Sequence, residues 1–170
     1  DANAQEDAHM LQFNGLGGIK GDTPAICRVR IVVRKCNFIS KNGMVNDMLN
    51  FISVQGTSVS RLIVEDCFFT GPTDASGTGL IADRATWWLD AHGNTFEGIR
   101  PNWAAAIAGG SNNSFYGNRI NDGVNGVYKF NMYPRSRLPL DVFGGNYVPV
   151  SGKSKDANRI TGVKQPWWFG

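Results

Sequence analysis

Ile31-Val-Val-Arg-Lys-Cys-Asn-Phe38 has four near-echoes downstream: Leu62-Ile-Val-Glu-Asp-Cys-Phe-Phe69, Leu89-Asp-Ala-His-Gly-Asn-Thr-Phe96, Asn113-Ser-Phe-Tyr-Gly-Asn-Arg-Ile120 and Asp141-Val-Phe-Gly-Gly-Asn-Tyr-Val148. Aligned on the sixth residue, they give the column Cys36, Cys67, Asn94, Asn118, Asn146. Two places later stand Phe38, Phe69, Phe96, Ile120 and Val148; three places earlier stand Val33, Val64, Ala91, Phe115 and Phe143. Copies spaced 24 to 31 residues apart, rich in Gly and Asn and apolar at every second position, mark a solenoid built on strands. An antiparallel sandwich also has short strands and frequent turns, but it gives no reason for matching residues to fall in columns.

The alternation changes parity within each copy. Ile31 and Val33 share one face, whereas Cys36 and Phe38 share the next inward face. The chain must therefore bend just before the sixth residue. Gly93, Gly117 and Gly145 stand at that bend, where a positive φ costs a glycine little. Asparagine also tolerates the left-handed region, and stacked Asn side chains form ladders between strands in register. A second strand is expected after each copy, at 48–54, 79–82, 104–108, 126–130 and 159–163, with 9–13 belonging to a preceding coil. Residues 84–90 are the one weak helix candidate. The expected fold is all-β, a parallel β-solenoid of about five coils. It forms a single domain over 1–170, read as a fragment of a longer chain. The tail Lys164-Gln-Pro-Trp-Trp-Phe-Gly170 is expected to be an aromatic cap or interface segment, because consecutive aromatics left in water invite association.

Composition narrows the function classes. The chain has 170 residues, 42% hydrophobic, only 18% charged, with 21 glycines and a net charge of +3. No apolar run approaches the roughly 20 residues of a spanning helix, so membrane insertion is not expected. The densest basic run, Arg28, Arg30, Arg34 and Lys35, has Val29, Ile31, Val32 and Val33 threaded through it. This reads as an outward strand face rather than a nucleic-acid patch. The glycine-rich stretches 15–18 and 109–110 lack the strand, helix and lysine of a phosphate cradle, and no His or Cys spacing suits zinc. Neither a cofactor nor a metal is expected. Three cysteines without a CxxC argue against a disulfide scaffold. Cys36 and Cys67 nevertheless share a column, which places them about 4.8 Å apart if strands stack. The reading is two reduced, buried thiols, with a bond as the alternative.

The copies Gly93-Asn94-Thr95-Phe96, Gly117-Asn118-Arg119-Ile120 and Gly145-Asn146-Tyr147-Val148 resemble the inward Asn ladder of the right-handed, single-stranded parallel β-helix of the pectate-lyase-like superfamily. The resemblance spans roughly 26–163 and is specific for fold rather than for family. Long loops with Trp and Tyr look most similar to bacteriophage tailspike-type proteins. No polygalacturonase-like run of paired Asp and no pectate-lyase-like calcium cluster is present. The resemblance implies binding and cleavage of a surface polysaccharide by a hydrolase or lyase, a homotrimer, and a location outside the cell or on a virion surface.

Register predicts the outward columns. Two before the sixth residue come Arg34, Glu65, His92, Tyr116 and Gly144; four before come Val32, Ile63, Asp90, Ser114 and Val142; six before come Arg30, Arg61, Trp88, Asn112 and Leu140. The middle of this face gathers acids, aromatics and a histidine. Glu65 and Asp90 are expected as the catalytic carboxylates, with Arg61, Trp88, His92 and Tyr116 binding substrate. One coil and two residues apart, the carboxylates should have Cα atoms about 8 Å apart, in the range that leaves room for water in an inverting glycosidase. The simpler reading pairs Glu65 with Arg34 across the ladder, worth about 0–1 kcal/mol, and makes His92 a solvated strand residue. A non-catalytic glycan-binding or fibre-forming segment, or a protein-interaction scaffold, would fit the same fold.

Overall fold

The computed structural model describes residues 9–15, 25–26, 30–74, 77–100, 103–121, 130–132, 146–148, 158–161 and 167–169. Every strand pairing among them is parallel. That excludes the antiparallel sandwich and gives a β-solenoid with three long sheets. The first sheet stacks Val32–Arg34, Leu62–Glu65, Leu89–His92 and Ser114–Tyr116. The second stacks Asn37–Ile39, Phe68–Pro72, Thr95–Arg100, Arg119–Asn121 and Arg159–Thr161. The third stacks Leu11–Asn14, Asp47–Ile52, Thr78–Asp83, Trp103–Ala108, Phe130–Met132 and Trp167–Phe169. A short fourth pairing joins Ala25–Ile26 to Val54–Gln55.

The columns explain why these strands form. Val33, Val64, Ala91 and Phe115 stack in register and are all buried. Phe38, Phe69, Phe96 and Ile120 do the same on the second sheet. There the Phe38–Phe69 and Phe69–Phe96 rings lie 4.8 and 4.7 Å apart, interplanar angles 4° and 10°. No single coil could bury these faces alone; each is covered by its neighbours.

Three corners turn the chain between sheets, and each has its own column of left-handed residues. Lys35, Asp66, Gly93 and Gly117 have φ of 54°, 52°, 66° and 59° between the first and second sheets. Ser53, Arg84 and Gly109 follow the third sheet, and Trp88 and Asn112 precede the first. The bend expected at Gly93 and Gly117 is thus present, and Lys35 and Asp66 make it without glycine. Gly145 lies outside the described residues.

Four expectations are corrected. Complete coils number about three rather than five: those spanning 30–112 are described almost throughout, whereas the later strands are separated by residues outside the described set. Residues 84–90 hold no helix: Arg84 and Ala85 form a bend and Leu89 begins a strand. Residues 159–161 belong to the second sheet, paired with Arg119–Asn121, so the last rung of the third sheet is Trp167–Phe169 against Phe130–Met132. The fourth concerns the fifth copy. Asn118 stacks not on Asn146 but on Asn158, whose Oδ1 accepts from Asn118 N at 3.1 Å and from Asn118 Nδ2 at 2.9 Å. Asn146 stacks one corner earlier, accepting from Asn113 N at 2.9 Å. A second, shorter Asn ladder therefore runs through Asn113 and Asn146.

Candidate functional site

The outward face of the first sheet carries the site. Alternation along each strand turns Val33, Val64, Ala91 and Phe115 into the core and their neighbours outward. Parallel register places Arg34 beside Glu65, Glu65 beside His92, and His92 beside Tyr116. The neighbouring column is Val32, Ile63, Asp90, Ser114. Its next member is Tyr147, bridged to Ser114, and not Val142, because the fifth copy is shifted. Arg61 and Trp88 lie at the corner just before, joined through Leu62 N to Trp88 O at 3.1 Å. The six site residues expected from the sequence, Arg61, Glu65, Trp88, Asp90, His92 and Tyr116, are brought onto one face.

The face is wired by charge. Arg34 Nη2 and Nε meet Glu65 Oε1 at 2.5 and 2.6 Å. Arg61 Nη1 meets Asp90 Oδ2 at 3.2 Å. Between the two carboxylates stands the imidazole of His92, with Nε2 3.3 Å from Glu65 Oε2 and Nδ1 3.3 Å from Asp90 Oδ1. The second approach is electrostatic rather than an aligned hydrogen bond, since Nδ1 and Oδ1 are both buried without a hydrogen-bond partner. The His92 ring stacks on Tyr116, centroids 5.1 Å apart and planes 4° from parallel. The Arg61 guanidinium lies 5.3 Å over the Trp88 ring, a cation–π contact. Trp88 holds φ 60°, a left-handed backbone that is costly for a bulky side chain.

The surroundings separate the two acids. Glu65 is held below its ordinary value of 4.5, mainly by the Arg34 hydrogen bond, so it stays ionised at neutral pH; that makes it a weaker base and suits it to steadying positive charge. Asp90 has one oxygen on Arg61 and the other facing His92. A neutral imidazole donates from one nitrogen and accepts at the other; a protonated one donates from both. The row therefore sets a titratable ring between two carboxylates, within 3.3 Å of each, without an aligned hydrogen bond on the Asp90 side. The expected pairing of Glu65 with Arg34 holds, but it does not isolate Glu65, because its second oxygen reaches His92. The imidazole also occupies the gap that the inverting scheme reserved for water.

Two members were not among the site residues read from sequence. The sequence reads Arg34 as part of an outward basic face and as the ion-pair partner of Glu65, not as a site residue. Tyr147, half exposed at the next rung, was displaced by the misaligned fifth copy; the shared Asn of Asn113-Ser114 and Asn146-Tyr147 was the signal that could have placed it. Among the described residues no group of three or more His, Cys, Asp and Glu is placed to hold a metal ion, and no helix is long and apolar enough to cross a membrane. Neither a family model, nor a curated protein, nor a solved structure matches the chain.

Proposed function

We propose that this face binds a surface polysaccharide and cleaves it, as a tailspike-like depolymerase would, with hydrolysis or elimination as the chemistry. The observation that carries the reading is the His92 imidazole set between Glu65 and Asp90 and stacked on Tyr116, with Trp88 under Arg61 at the corner before the same strand. Aromatic faces offer apolar platforms for sugar rings, while the row of titratable groups supplies acid–base chemistry worth about 10²–10⁴-fold. Glu65, kept ionised by Arg34, steadies developing positive charge or takes a proton as a weak base, and His92 and Asp90 deliver or hold the proton. Tyr147 and Trp88 extend the platform along and beside the coils. A pectate-lyase-like ancestry, a trimeric assembly and a place on a virion surface are consistent with a solenoid whose chemistry sits on one outward sheet.

The test is depolymerisation of bacterial capsular polysaccharides, followed by new reducing ends and by ultraviolet absorbance from unsaturated sugars. Glu65→Ala, Asp90→Ala and His92→Ala should each lower the rate at least 100-fold while the protein stays folded. Wild-type rates in all three variants would place the chemistry elsewhere. One observation favours a second reading, a non-catalytic glycan-binding segment: both carboxylates are already neutralised by arginines. Glycan binding without any bond cleavage across the panel would select it.

A further inference from the structure

The Asn ladder ends in two cysteines that do the same job less well. Asn94 Nδ2 donates to Val64 O at 2.9 Å, Asn118 Nδ2 to Ala91 O at 3.0 Å and Asn158 Nδ2 to Phe115 O at 2.9 Å, each the carbonyl three residues before the ladder position of the preceding coil. Cys67 takes the equivalent post with its thiol, reaching Val33 O at 3.5 Å, and also contacts Glu65 O at 3.3 Å. The Cys36 thiol contacts Arg34 O at 3.3 Å. Thiols are weak donors, so little polar energy opposes another use of these sulfurs.

The geometry brings them together. The pairing Arg34 to Glu65 on one side and Asn37 to Phe68 on the other brackets Cys36 opposite Cys67. Lys35 N to Glu65 O at 3.1 Å and Phe68 N to Cys36 O at 2.9 Å hold both flanks. Adjacent strands lie about 4.8 Å apart, inside the Cα range of about 4.4–6.8 Å that a disulfide spans. Its Cβ range, about 3.5–4.5 Å, asks the two turns to draw together by a few tenths of an ångström. The corner containing Lys35 and Asp66 is better placed to do this than the middle of a strand. Both cysteines are free; Cys67 is buried and Cys36 only partly so.

We propose that Cys36 and Cys67 form an inter-coil dithiol that a small-molecule disulfide such as oxidised glutathione converts into a Cys36–Cys67 bond. The more accessible Cys36 thiolate attacks one sulfur of the glutathione disulfide, breaking its S–S bond and releasing one glutathione thiolate. The Cys67 thiolate then attacks the Cys36 sulfur of the mixed disulfide and releases the second. The protein loses two electrons and two protons, and glutathione disulfide gains them as two thiols. Burial pushes the Cys67 thiol above its ordinary value of 9.0, so a mildly alkaline pH favours its thiolate. The product joins the coils carrying Arg34 and Glu65, two residues along the chain from each member of that ion pair.

The experiment uses the full chain with Cys27→Ser, which leaves only this pair, incubated with oxidised glutathione at pH 8. The expected result is a mass lower by about 2 Da, loss of both thiols reactive after denaturation, a peptide map linking 36 to 67, and full reversal by dithiothreitol. Two surviving thiols, or an adduct that stops at Cys36 bearing glutathione, would overturn the proposal. If Cys27→Ser does not fold, the same map on the wild-type chain decides it. A 36–67 link supports the pair, and its absence, or pairing of either cysteine with Cys27, refutes it.

Discussion

Asn118 and Asn158 stand 40 residues apart in the chain and on neighbouring rungs of the solenoid, joined by Asn118 Nδ2 to Asn158 Oδ1 at 2.9 Å. Asn118 also accepts from Asn94 N and donates to Ala91 O, each at 3.0 Å, and it is buried. Asn118→Ala should cost about 3 kcal/mol, because it leaves a buried donor and acceptor without partners. Asn158→Ala should cost a similar amount, and Asn146→Ala less, since Asn146 is only partly buried and its bond to Gly110 O is long at 3.3 Å. Urea unfolding of the three variants checks the order. Asn146→Ala as the costliest would restore the register read from the sequence.

That register shows where the sequence was legible and where it was not. Four copies lie 24 to 31 residues apart, and within them the columns of Val33, Phe38 and Arg34 were placed correctly by period-two alternation and by the bend before the sixth residue. The fifth copy failed because two corners of the coil both use asparagine. Gly145-Asn146 imitates Gly117-Asn118 by letter while sitting where Asn113 sits, and the true partner lies beyond a longer insertion that breaks the period. That the six candidate residues share one face was legible, since stacking fixes which side chains adjoin. The place of His92 between two carboxylates was not, because side-chain torsions rather than register decide it.

The corner between the first and second sheets stores backbone strain at its early rungs. Asp66, at φ 52°, is exposed and follows the column that Gly93 and Gly117 fill in later coils. Asp66→Gly should stabilise the protein by about 0.5–1 kcal/mol, as relief of left-handed strain exceeds the added chain entropy of glycine. Gly93→Ala should do the opposite, since its new Cβ would lie 2.7 Å from Asp66 Oδ1 on a positive-φ backbone. Thermal unfolding midpoints check both; a lower midpoint for Asp66→Gly would contradict the strain argument.

Glu65 gives the ion-pair row a pH signature. Its folded pKa lies below 4.5, chiefly through Arg34, so the unfolded chain binds its proton first. The stabilisation is complete above about pH 5.5 and is lost as pH falls through 4.5 towards the folded value. Comparing wild type with Glu65→Gln by urea unfolding between pH 3 and 7 should show a stability difference that is constant at the upper end and shrinks on acidification. A difference independent of pH would mean that Arg34 does not hold the carboxylate in solution.

Under the proposed function, Trp88 sets backbone strain against glycan binding at one position. Its left-handed backbone costs about 1–2 kcal/mol, and in exchange its indole lies under the Arg61 guanidinium beside the acid–base row. Trp88→Gly removes the strain and the platform together. Its unfolding free energy should stay within about 1 kcal/mol of wild type, since strain relief offsets the lost contacts of a half-buried ring. Affinity for a bound polysaccharide fragment should fall about tenfold, the loss of one aromatic platform worth about 1.4 kcal/mol. Calorimetric titration alongside chemical unfolding separates the outcomes. A loss of several kcal/mol in stability with unchanged affinity would make Trp88 a packing residue of its corner and remove it from the glycan face.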